Sequence, residues 1–173
     1  MSANKGGGNR PPPKEPIIGF FGLLFSILCP TIIGWVIIGC YVHWSYIEYL
    51  GRPVWFPKEN LSKPFYSLSY ILIGAASYLV WKVGNGFCNL ILPQSFNVIQ
   101  LAASYAWFIL FFETESRELG LAASCVQWVA ALMTLILFGK VQKKSLLLTL
   151  PYLIWHGFVL ALNIQLYIEF NST

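Results

Sequence analysis

Five long apolar runs dominate this chain of 173 residues, and only short charged or turn-rich stretches separate them. The runs lie at about residues 16–42, 64–82, 90–112, 119–139 and 146–170. About 20 consecutive apolar residues are enough for a helix to cross a bilayer. The runs are continuous rather than alternating, which favours helices over a transmembrane barrel. The sequence therefore predicts an all-α membrane protein, a bundle of five transmembrane helices.

Charge and composition support the same fold class, and they divide the chain into a polar tail and an apolar membrane domain. Only 10% of the residues are charged, against about 25% in a typical soluble domain, and 57% are hydrophobic. Residues 1–15, MSANKGGGNRPPPKE, are rich in glycine, proline and polar side chains, which predicts a flexible tail. Residues 16–173 form the predicted membrane domain, whose first partner is the lipid bilayer.

Several classes of function are disfavoured by the residues present. The formal net charge is only +4 and the basic residues flank the apolar runs, so no nucleic-acid partner is expected. The runs contain almost no acidic or basic side chain, which argues against an ion pathway. The four cysteines form no CxxC pair and have no histidine at metal-binding spacing. We expect no metal, no cofactor and no catalytic residue.

Three of the runs place aromatic and neutral polar side chains on one helical face. Residues spaced three or four apart share a face of a helix. The faces are formed by Tyr66 and Tyr70 in the second run, by Gln100, Ser104, Trp107 and Phe111, with Tyr105 beside them, in the third, and by Trp155, Val159 and Asn163 in the fifth. Such faces line a cavity for a flat apolar molecule or pack helices together, and periodicity alone leaves both open.

Three stretches make the chain similar to a known family. They are GRPVWFPKENLSKPFYSLSYILIGAASYLVWK around the second run, QLAASYAWFILFF in the third and LPYLIWHGFVLALN in the fifth. Together with five spans and a long first loop, they resemble the TspO/MBR family of translocator proteins, also called peripheral-type benzodiazepine receptors. The resemblance extends from about residue 30 to residue 169.

This resemblance implies a tight five-helix bundle in the mitochondrial outer membrane, often as a homodimer. Its cavity would open towards the first loop and bind porphyrins and benzodiazepine-type aromatic compounds, and the family is linked to cholesterol and steroid traffic. Carried over by position, the ligand-contacting residues would be Trp107 and Trp155, with Pro64 and Tyr70 shaping the second span and Leu162 and Asn163 lining the fifth.

The chain also departs from the family pattern at informative positions. Tyr66 replaces a tryptophan in the second span, and Ser104 and Tyr105 replace an Asn-Trp pair in the third. Some relatives degrade porphyrin in light with two cavity tryptophans, of which only Trp155 is present here. The sterol motif of the last span is altered as well, because Ile164 replaces its tyrosine.

These features predict a non-enzymatic membrane translocator or receptor-like protein that binds porphyrins, sterols or benzodiazepine-type compounds and takes part in their transport. The two alternatives are a weak light-dependent porphyrin-degrading enzyme and a structural membrane scaffold. Light-dependent loss of bound protoporphyrin would indicate the enzyme, and absence of both porphyrin and sterol binding would indicate the scaffold.

The membrane that holds the chain is predicted from the resemblance rather than from charge. The family implies the mitochondrial outer membrane, with the first loop and the C-terminus facing the cytosol. Most lysines and arginines lie on the N-terminal side, which by the positive-inside rule favours the opposite orientation. Asn60 begins an Asn-Leu-Ser glycosylation tripeptide, so the endoplasmic reticulum membrane is the alternative.

Overall fold

The structure is a computed structural model that describes residues 16–84 and 87–172. The predicted flexible tail, residues 1–15, lies outside the described residues. The helices are α1 (Pro16–Tyr41), α2 (Trp44–Tyr49), α3 (Glu59–Val83), α4 (Phe87–Phe108), α5 (Arg117–Val141) and α6 (Lys144–Ser172). The last turn of α4 continues as a π-helical segment, Ile109–Glu113.

Five of these helices, all except the short α2, are long and apolar enough to cross a membrane. The prediction of an all-α bundle of five transmembrane helices is confirmed. The bundle is a ring in which α1 packs on α3, α3 on α6, α6 on α5 and α5 on α4, while α4 also contacts α1. The aromatic faces of α3, α4 and α6 thereby turn towards a common interior.

The α1–α3 contact depends on a glycine. A Cβ atom built on Gly74 would lie 2.2 Å from the carbonyl oxygen of Ser26 and 2.8 Å from the Cα of Ile27. Real side chains do not approach a backbone so closely, so only glycine permits this crossing. Small residues at helix crossings allow close backbone approach in membranes, where dispersion contacts replace the hydrophobic effect as the main driving force.

Two element boundaries differ from those that hydropathy indicates. The helix α3 begins at Glu59, five residues before the apolar run at residue 64, because Glu59 and Lys63 are good helix formers that pair one turn apart at 2.6 Å. The first loop, residues 42–58, contains the helix α2, whereas its sequence indicates only an interfacial loop. Charge marks where the hydrocarbon region ends, not where a helix ends.

Candidate functional site

A cluster of aromatic and polar side chains fills the middle of the bundle. We call it the interior cluster and define it by ten buried residues: Tyr66 and Tyr70 of α3, Trp107 and Phe108 of α4, Phe111 of the π-helical segment, Gln127 of α5, and Tyr152, Trp155, His156 and Asn163 of α6. Each lies on the inward face of its helix, where the ring of helices removes it from lipid.

Ring contacts hold the aromatic part of the interior cluster together. The Tyr66 ring meets Trp155 edge-on at 5.1 Å between ring centroids and meets Phe108 at 5.0 Å. Trp107 is stacked on Phe111 at 5.3 Å with 13° between the ring planes. Aromatic pairs in these geometries add about 0.5–1.5 kcal/mol each beyond the area that they bury. The cluster is therefore a rigid arrangement of flat surfaces.

Hydrogen bonds connect α3, α4 and α6 across the same space. The hydroxyls of Tyr70 and Ser104 lie 2.8 Å apart. The Trp107 indole Nε1–H donates to Asn163 Oδ1 at 3.1 Å, and Asn163 Nδ2 in turn donates to the Val159 carbonyl at 2.7 Å. Because little competing water is present inside a membrane bundle, these bonds fix the orientation of the indole and of the amide.

A buried Gln–His pair joins α5 to the cluster. The Gln127 amide nitrogen donates to Nδ1 of His156, which makes the neutral imidazole carry its proton on Nε2. The Tyr152 ring lies 4.2 Å from the imidazole ring. The α5 sequence alone does not predict Gln127 as part of the site, because the family-like stretches do not include it.

Four polar atoms of the interior cluster have no hydrogen-bond partner in the described part of the chain. They are the hydroxyls of Tyr66 and Tyr152, Nε1 of Trp155 and Nε2 of His156. About nine in ten buried polar groups in proteins are paired, so a concentration of unpaired ones is unusual. Nε1 and Nε2 are donors and both phenols can donate, so this interior favours a molecule with accepting atoms. None of the buried residues in the described ranges is charged.

The sequence-predicted site residues reach the interior with one exception. Ten of the eleven are buried: Tyr66, Tyr70, Gln100, Ser104, Trp107, Phe111, Trp155, Val159, Leu162 and Asn163. Tyr105 is only half-buried, and its hydroxyl donates to the Pro30 carbonyl of α1 at 2.8 Å. The amide nitrogen of Gln100 donates to Oδ1 of Asn97 on its own helix at 2.8 Å.

The first loop covers one end of the interior cluster. Ile47 and Phe56 are each 1% exposed, so the loop inserts two side chains into the core. The Phe56 ring is stacked on Trp155 at 6.3 Å, and Tyr46 meets Phe111 at 5.5 Å. The sequence alone does not indicate that Ile47 and Phe56 are buried, because an aromatic-rich loop is equally typical of the headgroup layer. In this conformation the first loop closes the end at which the resemblance places an opening.

Polar contacts fasten the first loop to the rest of the bundle. The Tyr46 hydroxyl donates to the Glu115 carbonyl at 2.9 Å, and burial raises the pKa of Tyr46, with the nearby Arg117 opposing the shift. Trp55 Nε1 donates to Gln165 Oε1 of α6 at 3.0 Å. Within the loop, Arg52 pairs with Glu48 at 2.7 Å. The loop is therefore a folded cover rather than an open connection.

The fold and the site together define a class of protein: a multi-pass helical membrane protein with a closed, uncharged, aromatic interior. Comparison with known proteins then gives the family. Residues 26–168 match the TspO/MBR family. The chain is 31% identical over 163 residues to Translocator protein from Homo sapiens, covering 88% of each chain. It is 35% identical over 117 residues to Tryptophan-rich protein TspO from Archaeoglobus fulgidus, covering 68% of this chain and 74% of that protein.

The chain belongs to the TspO/MBR family, as its sequence stretches predict. A further relative, Translocator protein from Sus scrofa, is 29% identical over 157 residues and covers 88% of each chain. Membership supports a translocator- or receptor-like role in a membrane. The names of these relatives suggest a non-enzymatic role, and the five apolar helices place the chain in contact with the lipid bilayer.

Proposed function

We propose that the interior cluster binds one flat, largely apolar ligand, of the porphyrin, sterol or benzodiazepine type, and that the chain takes part in moving it. The observation that carries this proposal is the convergence of four unpaired polar atoms among stacked aromatic rings. Aromatic surfaces stabilise a flat molecule by stacking, and a few placed polar groups orient it. A purely structural core would leave fewer polar atoms unpaired.

Binding at this site requires the first loop and the aromatic side chains to move. Phe56 and Trp155 are stacked over the end of the interior cluster, and both are buried. A ligand that enters from this end displaces Phe56 and then contacts Trp155, Tyr66 and Trp107 in turn. Displacing Phe56 costs the free energy of its contact with Trp155. The contacts that the ligand makes with the rings compensate for this cost.

A titration of the purified full chain tests the proposal. Protoporphyrin IX, cholesterol and a benzodiazepine-type compound are added to the chain in detergent, and quenching of tryptophan fluorescence is followed. We expect saturable binding of at least one of them with one molecule per chain. If none binds saturably while the chain remains helical by circular dichroism, the proposal is wrong and the structural scaffold is the better account.

The enzymatic alternative has a specific obstacle. The hydroxyl of Tyr66, which replaces the second cavity tryptophan of porphyrin-degrading relatives, has no acceptor for its proton among the described residues. A tyrosine is difficult to oxidise without such an acceptor. We expect the absorbance of bound protoporphyrin IX under illumination to fall no faster with the chain than with bovine serum albumin. Faster bleaching that Trp155→Phe abolishes would establish the enzyme.

The location is part of the proposal. The chain is a multi-pass membrane protein, and we propose the mitochondrial outer membrane, with homodimers as the family resemblance implies. Asn60 of the tripeptide Asn60–Ser62 is exposed in the first turn of α3 and is therefore accessible. A glycosidase-sensitive mobility shift in cells, lost in Asn60→Gln, would place the first loop in the lumen of the endoplasmic reticulum and contradict this location.

A further inference from the structure

A cavity outside the interior cluster lies where the first loop, the turn between α4 and α5 and the end of α6 meet. We call it the corner cavity. The first loop contributes Tyr46 and Tyr49 to its lining, the turn and the start of α5 contribute residues 115–118, and α6 contributes Tyr167 and Phe170. Its volume is about 340 Å³, at the small end of the range of ligand sites. This size fits a small polar group better than a whole lipid.

The position of the corner cavity along the helices gives its level in the membrane. The apolar spans on either side of the turn end at Glu113 and begin at Arg117, and the last span ends at Asn171. Residues 115–118 and 170 of the lining therefore lie at the ends of these spans. In a bilayer this level corresponds to the polar headgroup layer, which borders the hydrocarbon core.

The lining of the corner cavity carries both signs of charge. The Arg117 guanidinium lies 4.1 Å from the centre of the Phe170 ring. The carboxylates of Glu115 and Glu118 have no ion-pair partner among the described residues. The helix α5 begins at Arg117 and α6 ends at Ser172, so the positive end of one helix dipole and the negative end of another lie at this level. A ligand with one negative and one positive group matches this arrangement, whereas an ion of a single sign meets a repelling charge.

The residue types in the lining indicate the two groups of such a ligand. An arginine guanidinium binds phosphate through charge-assisted hydrogen bonds, and Arg117 is the only basic residue of the lining. The faces of aromatic rings attract cations and form the cages that bind quaternary ammonium groups. Tyr49, which is 83% exposed, and Tyr167 provide such rings beside the two carboxylates. Phosphate and quaternary ammonium together are the two charged groups of phosphocholine.

We propose that the corner cavity binds a phosphocholine group. Its phosphate accepts hydrogen bonds from the Arg117 guanidinium. Its trimethylammonium group lies against Tyr49 and Tyr167, and the carboxylates of Glu115 and Glu118 balance the positive charge. The phosphocholine group belongs either to a phosphatidylcholine of the bilayer or to a free phosphocholine molecule. This site does not depend on the proposed function, because none of its lining residues belongs to the interior cluster.

Two soluble ligands test the chemistry of the corner cavity. The full chain is purified in dodecyl maltoside, a detergent without choline, and saturation-transfer NMR follows the methyl protons of the ligand. Phosphocholine is compared with 3,3-dimethylbutyl phosphate, which has the same shape but no positive charge. We expect saturable binding of phosphocholine and binding of the analogue that is weaker by about threefold or more, because a cation–π contact changes affinity by about 2- to 30-fold. No saturable binding of phosphocholine, or equal binding of the two ligands, would overturn the proposal.

Variants locate the bound group. Glu118→Gln removes a carboxylate from the lining, and Glu113→Gln makes the same change just outside it. Tyr167→Leu removes a ring, and Tyr41→Leu is its control at the end of α1. We expect Glu118→Gln and Tyr167→Leu to bind phosphocholine severalfold more weakly and both controls to bind like the parent, with equal helix content by circular dichroism. Parent-like binding in Glu118→Gln, an exposed position where misfolding is not expected, would place the ligand elsewhere and contradict the proposal.

The phosphate contact has its own test. Arg117→Gln should weaken the binding of phosphocholine severalfold and leave that of choline, which has no phosphate, nearly unchanged. Equal losses for the two ligands would contradict the contact between phosphate and Arg117.

Nanodiscs distinguish the two sources of the phosphocholine group. The NMR titration with free phosphocholine is repeated in nanodiscs of phosphatidylglycerol and in nanodiscs of phosphatidylcholine. Binding that persists in phosphatidylglycerol and disappears in phosphatidylcholine assigns the corner cavity to a lipid headgroup. Equal binding in both assigns it to a free phosphocholine molecule. Absence of binding in both would contradict a site that is accessible in a membrane and overturn the proposal.

Discussion

Gly120 of α5 controls how closely two residues of the interior cluster approach that helix. A Cβ atom at Gly120 would lie 2.6 Å from Cδ2 of Phe111 and 3.1 Å from Oδ1 of Asn163. We expect Gly120→Ala to destabilise the chain by about 1–3 kcal/mol, the usual cost of overpacking a core. Gly39→Ala is the matched control, because nothing lies within 4 Å of its Cβ. Equal unfolding midpoints of the two variants in the same detergent would contradict this packing.

The buried Gln127–His156 pair gives a second prediction for single residues. Gln127→Leu leaves Nδ1 of His156 without a donor, and an unpaired buried polar group costs about 1–3 kcal/mol. The double variant with His156→Leu removes both polar groups, so its stability should recover towards the parent. Additive losses in the double variant, measured as unfolding midpoints, would show that the two side chains do not interact.

Sequence periodicity predicted which helical face a residue occupies but not which neighbour it meets. It placed Ser104, Trp107 and Asn163 on inward faces, where they are buried. It did not pair Gln127 with His156, because the partner of a polar side chain depends on the order of helices in the ring. The periodicity of one sequence carries no information about the order in which its helices are arranged in the ring.

At the scale of elements, the proposed function makes the first loop the part of the fold that controls access to the interior cluster. Arg52 connects two parts of the first loop, because its guanidinium contacts both the Glu48 carboxylate and the Phe56 carbonyl. We expect Arg52→Gln to loosen the loop and to raise the association rate of protoporphyrin IX severalfold in stopped-flow fluorescence. Lys58→Gln removes a nearby exposed charge and should leave the rate unchanged. An unaltered rate in Arg52→Gln would mean that ligands enter elsewhere.

The five long helices could be predicted from apolar runs alone, because in hydrocarbon every backbone group must be paired within its own segment. The helix α2 could not, since six residues with Trp44, Tyr46 and Tyr49 also fit an interfacial loop. Its burial depends on Ile47, whose pocket exists only after the five helices have assembled. Local sequence therefore determines the spans, and tertiary packing determines the first loop.

At the scale of the whole molecule, the bundle has two apolar surfaces with different chemistry. The outer surface exposes aliphatic and aromatic side chains to lipid, among them Phe25, Val98 and Leu147. The inner surface combines aromatic rings with unpaired neutral polar atoms and, in the described ranges, no buried charge. This difference is the basis of the proposal that a ligand binds inside the ring, whereas lipid contacts the outer surface.

The central claim is that the ligand lies inside the ring of helices against Trp107 and Trp155. Its most direct test compares the affinity of protoporphyrin IX for Trp107→Ala, Trp155→Ala and the control Trp35→Ala, whose side chain is 64% exposed on α1. Loss of one stacked indole should cost about 1–3 kcal/mol, or about 5- to 150-fold in affinity. Trp107→Phe serves as the second variant if the alanine form unfolds. We expect weaker binding in Trp107→Ala and Trp155→Ala and parent-like binding in Trp35→Ala. Interior variants that remain folded and bind like the parent would contradict the claim.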